Sequence, residues 1–304
     1  MQKLLASPLI NVSLVALFWA LQIFVAKLGF RAGAELFTFN IQSLLLIILF
    51  LSLYALPKTL LTFTKISVKT IIWLIMIGAL GSAIGGTFSY IGIQLTTATN
   101  AGFLFQFDIA LTILFAWLLL KEKLDLAKIL MLIMILAGTF FLVTNGQLLV
   151  PHLGDIFILL AGACFAGATV LSRKLLKHTT IDPDVLSLIR PTAGLFVLLG
   201  VAAVVPLFPN AIQQSFTLHL LDFQQIVYVI LNALFCVGTV VFLNRTLKIA
   251  SASYTAMIAS VTPILVAILG IAFLKETLTA IQLVGALFII AASFVTHFLK
   301  VDKH

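Results

Sequence analysis

The residues able to do chemistry in this chain are few and stand inside apolar runs. In "FQFDIALTILFAWLLLKEKL", residues 105–124, Asp108 lies about ten residues into such a run. At the helical rise that is ~15 Å from the end, the depth of a bilayer midplane. An aspartate there costs roughly 2.5–3.5 kcal/mol even on lenient insertion scales. Such a residue is retained where it meets a solute, a coupling proton or a partner that fastens the helices. Helical spacing puts Ala101, Phe105, Thr112 and Phe115 on the same face, half a pocket for a small amphipathic solute. Arg190, in "SLIRPTAG", lies about six residues into another apolar run. Three roles fit it: snorkelling to the headgroups, pairing with Asp108, or meeting a solute carboxylate. Gln22, Asn232 and Asn244 are intramembrane amides that can bond a neighbouring helix or a solute.

Other chemistries find no support. No glycine-rich loop follows a strand, no Ser/His/Asp set is apparent, and no metal-ligand cluster appears, so no cofactor is expected. His152, His178, His219 and His304 fall in loops or the tail, and His297 near the end of a run. Cys164 and Cys236 both lie within apolar segments, which suggests neither a disulfide nor a metal pair. An integral-membrane enzyme, such as a lipid-modifying one, is the second hypothesis; it requires a polar constellation at one interface, whereas these polar residues are at midplane. A channel requires a uniformly polar lining, which no run provides.

The elements that must hold these residues are membrane helices. Of 304 residues, 62% are hydrophobic and 9% charged, with a mean hydropathy of +1.23. A soluble domain is about half apolar and a quarter charged, so the chain belongs in a bilayer. Runs of spanning length cover approximately 9–29, 36–56, 70–94, 98–120, 127–145, 154–173, 185–208, 223–246, 251–274 and 280–299. The first is longer than a signal-peptide core and is read as a retained span. The runs are too continuous for β-barrel strands, and the expected fold is all-α with ten transmembrane helices. The net charge of +8 comes from short basic clusters between runs, which suits membrane orientation and not nucleic acid. Alternating the spans collects Lys3, Lys58, Lys65, Lys69, Lys121, Lys123, Lys128, Arg173, Lys174, Lys177, Arg245, Lys248, Lys300 and Lys303 on the side of both termini. Only Lys27, Arg31 and Lys275 face the other side, so both termini are expected in the cytoplasm, with the chain in the inner membrane as a monomer or weak dimer.

The two halves also resemble one another. Residues 97–142 align without a gap on 251–296, placing the "KEKL" of Lys121–Leu124 on the "KETL" of Lys275–Leu278. "LFWALQIFVAKL" matches "ACFAGATVLSRKL" more loosely, pairing Trp19 with Phe165 and Lys27 with Arg173. Five spans per half is odd, so the second half, 149–304, is expected to enter the membrane inverted relative to the first, 1–148. Inverted repeats enclose a midplane site in secondary transporters. By this symmetry Trp19, Asp108, Phe165 and Thr262 should converge, with the rings available for cation–π contact. Pro263 frees the Ala259 carbonyl as a further acceptor. Gly81 with Gly85, Ser82 with Gly86, and Ala163 with Gly167 mark close helix contacts. Tyr90 and Tyr254 suit the interfacial belts. Glu122 and Glu276 suit neutralisation of adjacent lysines and helix ends, while Asp125 and Thr279 fit N-caps of the fifth and tenth spans.

Two five-helix repeats, each with its "KEKL" or "KETL" step, resemble the EamA-like family of drug/metabolite transporters. So does "LNRTLKIASASYTAMIASVTPILVAILGIAFLKETLTAIQLVGALFIIAAS", and the resemblance is strongest from Leu243 to Ser293. It implies ten helices, cytoplasmic termini and transport of small metabolites, often amino acids or related compounds. It further implies a central cavity formed by helices 1 to 4 and 6 to 9, and an arginine early in helix 7, where Arg190 stands. The first half departs from the pattern: it has no equivalent of Pro263, and Asp108 precedes Ile109 instead. The expected partners are the bilayer, a small-molecule substrate and, as an alternative partner of Asp108, a coupling proton.

Overall fold

The computed structural model describes residues 8–63, 67–144, 152–204 and 222–298. Among these, ten helices follow in order and no strand occurs. They are α1 (Pro8–Arg31), α2 (Leu36–Phe63), α3 (Val68–Leu95), α4 (Ala98–Leu120) and α5 (Leu126–Thr144). The second half has α6 (Leu153–His178), α7 (Pro183–Val204), α8 (Phe223–Ile249), α9 (Ala252–Leu274) and α10 (Ala280–Phe298). Eight are long and apolar enough to cross a membrane by length and composition; α5 and α10, apolar over Leu126–Leu142 and Ala280–Ala292, run 19 residues each. Nineteen residues at the helical rise reach about 29 Å, close to a ~30 Å hydrocarbon core. The expected end of the seventh span at 208 lies outside the described residues, as do Lys3, Lys65, Lys300, Lys303, His219 and His304.

Three helices are interrupted, each for a local reason. In α3, "ALGSAI" (Ala79–Ile84) forms a π turn. It lets glycines and a serine face different neighbours. A Cβ on Gly81 would lie 2.5 Å from the Arg190 guanidinium, one on Gly85 2.9 Å from the Phe165 ring, and Ser82 sits against Gly194 of α7. The small-residue spacing therefore serves two helices, α6 and α7, and Gly86 has nothing within 4 Å. In α4 the ladder breaks at Phe105, where the Asp108 N–H bonds the Phe105 carbonyl at 3.0 Å. In α9 it breaks at Ser260–Val261, ahead of Pro263. The Thr262 hydroxyl donates to the Ala259 carbonyl at 2.6 Å. That corrects the expectation of a free acceptor there: the hydroxyl beside the proline replaces the missing N–H.

α4 and α9 are tied end to end. Thr97 caps the Asn100 amide at 3.0 Å, and Ser251 caps that of Tyr254 at 3.1 Å. The amides of Ala98 and Thr99 go to the two carboxylate oxygens of Glu276, at 2.9 and 2.8 Å. Those of Ala252 and Ser253 go to Glu122, at 3.1 and 3.3 Å, and the Ser253 hydroxyl adds a bond of 2.6 Å. Each glutamate follows a lysine in the left-handed region, Lys121 at φ 56° and Lys275 at φ 54°, which turns the chain back over the other helix. A carboxylate at a helix N-terminus meets orphan amides and the positive end of the dipole. These glutamates thus serve helix ends distant in sequence, and Glu276 also approaches Arg31 at 3.6 Å. Cations close C-termini in the same manner. Lys27 donates to the carbonyls of Ile93, Gln94 and Thr96 at the end of α3, and Arg173 to those of Leu247 and Lys248 at the end of α8. Asp125 and Thr279 cap α5 and α10 through the amides of Lys128 and Gln282.

α5 and α10 cross with their backbones in contact. A Cβ on Gly138 would lie 2.6 Å from Ile289 Cγ1 and 2.7 Å from the Gly285 carbonyl oxygen, and one on Gly285 2.7 Å from that of Gly138. Gly138→Leu should therefore cost about 1–3 kcal/mol of stability by overpacking. Denaturation of the purified variant measures it, and flux per folded molecule should match wild type, since neither helix reaches the cavity described next.

Candidate functional site

The eight membrane-length helices enclose a cavity of about 130 Å³, to which α5 and α10 contribute nothing. An engineered apolar cavity near that size accommodates benzene, so the space suits a small organic solute. Trp19 and Gln22 of α1, Asp108 and Thr112 of α4, Phe165 of α6 and Arg190 of α7 all line it.

The rings form a cluster at one side. Trp19 and Phe165 meet edge to face with centroids 6.4 Å apart, and Phe105 sits behind both, at 5.5 Å from Trp19 and 6.0 Å from Phe165. Phe105 is buried and is absent from the wall itself. Its contribution is to hold the two lining rings in place, tilted against Trp19 and stacked on Phe165, and aromatic pairs add ~0.5–1.5 kcal/mol each.

Asp108 accepts a hydrogen bond from the Thr112 hydroxyl at 3.1 Å, one helical turn on. α6 approaches its backbone closely at Gly162, where a Cβ would lie 3.2 Å from the Asp108 nitrogen. Arg190 is 6% exposed. Its Nη2 donates to the Gly81 carbonyl of the π turn at 3.1 Å, while its Nε has no partner. Arg190 therefore does not snorkel; the glycine opposite lets the guanidinium lie along α3 toward the cavity. Nor does it bond Asp108, whose partner is Thr112. A carboxyl and a guanidinium thus stand on one small cavity with no hydrogen bond or ion pair between them. Charged groups in such a site interact strongly with what enters, because little water screens them.

The remaining candidates stand off the wall. Thr262 spends its hydroxyl on its own backbone, as many hydroxyls in membrane helices do. Asn232 is buried and donates to Ser43 of α2 at 3.0 Å and to the Tyr90 hydroxyl of α3 at 2.8 Å. It ties three helices together. Asn232→Leu should lower stability on the order of 1 kcal/mol, the usual worth of an interhelical bond in a membrane. Thermal unfolding of purified protein checks it, with flux per folded molecule unchanged.

Other wall residues escaped sequence reasoning. Tyr90, expected at an interface, is buried against Phe30 and Phe39, at 6.0 and 5.4 Å between centroids, and lines the cavity. Its hydroxyl finds Asn232 instead of headgroups. Asn40 lines the cavity and bonds Thr87 at 3.0 Å; an amide a few residues inside the second apolar run was its signal. Cys236 also reaches the wall.

Comparison with known proteins agrees with this architecture. A solved structure described only as a crystal structure of a protein superposes with a TM-score of 0.64, over 95% of this chain and 96% of that one, at 16% identity. That likeness concerns the fold alone. An uncharacterized transporter from Archaeoglobus fulgidus is 27% identical over 216 residues, 70% of this chain. The match spans 65% of the relative's length. The profile of the EamA-like transporter family matches residues 6–144 and again 152–298. The chain belongs to the EamA-like transporter family.

Proposed function

We propose that the protein is a secondary transporter that carries a small organic metabolite across the inner membrane by alternating access. The solute is an amino acid or a related compound with a cationic or zwitterionic headgroup. The observation that carries this reading is the cavity with Asp108 and Arg190 on its walls, not hydrogen-bonded to each other, beside the rings of Trp19 and Phe165. An ammonium group suits Asp108 and the ring faces, and a carboxylate suits the guanidinium fork. Rocking of two inverted five-helix repeats supplies the alternation. The reciprocal caps of Glu122 and Glu276, the paired left-handed lysines and the matching roles of Lys27 and Arg173 support that symmetry.

Counterflow in liposomes tests the reading. Preloaded unlabelled solute should drive transient accumulation of the same labelled solute, and product formation without net movement would instead support a lipid-modifying enzyme. Orientation has its own measurement. With both termini cytoplasmic, cysteines at Asp125 and Thr279 should react with an impermeant thiol reagent from opposite faces. Labelling from one face would end the inverted-repeat reading.

A further inference from the structure

α4 and α9 contribute to the cavity unequally along their lengths. Gln106–Leu120 reaches it through Asp108, Ile109 and Thr112, and Ala252–Ala259 through Thr255, Ala256 and Ala259. Ala98–Leu104 and Thr262–Leu274 supply no wall residue. In both helices the change falls at the interruption. Around these points i→i+3 bonds replace the regular ladder: Asp108 to Phe105 at 3.0 Å, Ser260 to Met257 at 3.3 Å, and Ile264 to Val261 at 3.1 Å. Helices bend where their ladder is broken in this way.

The four pieces are joined crosswise. Glu122, just beyond Leu120, holds the amides of Ala252 and Ser253, so the two lining pieces are stapled together. Glu276, just beyond Leu274, staples the two non-lining pieces through Ala98 and Thr99. The non-lining pair is also anchored outside itself. Arg31 of α1 donates to the Leu274 carbonyl at 3.1 Å and faces Glu276, and Asn100 donates to the buried carboxylate of Asp155 in α6 at 2.6 Å. In the lining pair Thr112 bonds Asp108 and Thr255 the Ser251 carbonyl, while the pair's contact with α6 is one of packing, at Gly162 and around Ala116 and Val170.

We infer that Gln106–Leu120 and Ala252–Ala259 move as one body, stapled by Glu122, about joints at Phe105 and Ser260–Val261, and that this body gates the cavity on the face carrying Lys121. The gating rests on the alternating-access reading; the one-body motion does not. Glu122 is then a positioning residue for Asp108, which rides on the moving body, and Glu276 belongs to the fixed frame.

Hydrogen exchange on the full chain in lipid nanodiscs tests this with Glu122→Ala and Glu276→Ala. Loss of the Glu122 staple should raise amide exchange in 106–120 and 252–259 together, by roughly five- to tenfold, and leave 98–104 and 262–274 near wild type. Glu276→Ala should raise the second pair and spare the first. Thr112→Cys, with Cys164 and Cys236 replaced by serine, should react faster with an impermeant thiol reagent from the Lys121 face when Glu122 is alanine. A rise confined to the first turn of α9 would make Glu122 a local cap and overturn the one-body motion. A rise spread over all helices would make it a general fastener, with the same consequence. Coupled exchange with unchanged Thr112→Cys labelling would overturn the gate. Should Glu122→Ala not fold, wild-type exchange still decides: 106–120 and 252–259 must share one level of protection, distinct from that of the other pair. Counterflow run in parallel separates this from the carrier reading. Normal flux with uncoupled segments removes the moving body alone, and coupled segments without flux of any solute remove the carrier and the gate with it.

Discussion

Asp108→Asn should weaken solute binding by roughly 10–100-fold in a protein that still folds, the loss expected when a charge-assisted hydrogen bond becomes a neutral one. Asparagine keeps the shape and can still accept from Thr112, so the bond at 3.1 Å that holds the side chain need not be lost. What disappears is the negative charge on the cavity wall. If that charge meets a cationic group, affinity falls wherever the wild-type carboxyl is ionised, and a neutral analogue suffers less. If it carries a coupling proton, pH-driven accumulation vanishes while exchange between two loaded compartments survives. Contact with solute is the expected outcome, because Asp108 and Thr112 both reach the wall and Phe105 backs the two rings that complete it. A fastener alone would lower the unfolding temperature and leave flux per folded molecule near wild type. Normal uptake with normal pH dependence in a well-folded Asp108→Asn protein would sink both functional roles.

Arg190→Gln is expected to have an effect of similar size on a different part of the solute. A guanidinium offers five donors in a rigid fork, and here Nη2 bonds Gly81 and the buried Nε lies against the same glycine. A carboxylate reaching that fork would gain two parallel charge-assisted bonds. Counterflow with matched probes measures the gain: phenylalanine against phenethylamine, and lysine against cadaverine. Wild type should prefer the member that bears the carboxylate. In Arg190→Gln that preference should collapse by roughly 10–100-fold, with the amine little changed. Arg190→Lys should restore only part of it, because an ammonium lacks the fork. Gly81→Ala reaches the same end by another route. Its Cβ would lie 2.5 Å from Nε and Nη2, the mobile tip of a long side chain, so the guanidinium shifts with its charge intact. Equal losses for both members of each pair would reduce Arg190 to a tie between α7 and the π turn of α3. A stability loss of about 1–3 kcal/mol accompanies either outcome, since the Gly81 carbonyl loses its buried donor.

The helices were legible because the bilayer imposes a local rule. A segment that must satisfy its own backbone in hydrocarbon needs about twenty apolar residues in a row, and that requirement is written in consecutive positions. Ten runs therefore correspond to ten helices among the described residues, with ends displaced by a few residues. The caps at Asp125 and Thr279 were legible for the same reason, since a cap and its amide lie three residues apart. Trp19, Gln22, Asp108, Thr112, Phe165 and Arg190 were visible as candidates because a polar or large aromatic residue deep in such a run is conspicuous.

Only tertiary structure decided what those residues touch. Gln22 and Asn232 are both amides inside apolar runs, yet one reaches the cavity and the other spends its donors on Ser43 and Tyr90. Thr112 and Thr262 are both hydroxyls near a helix break, yet one bonds Asp108 and the other the Ala259 carbonyl. Glu122 and Glu276 look like surface charges beside lysines until left-handed turns swing them onto helix ends 130 and 177 positions away. The difference is one of range. Hydropathy and capping act through neighbours in the chain. The partner of a buried donor is whichever group another helix brings within 3 Å, and that depends on how all the helices cross.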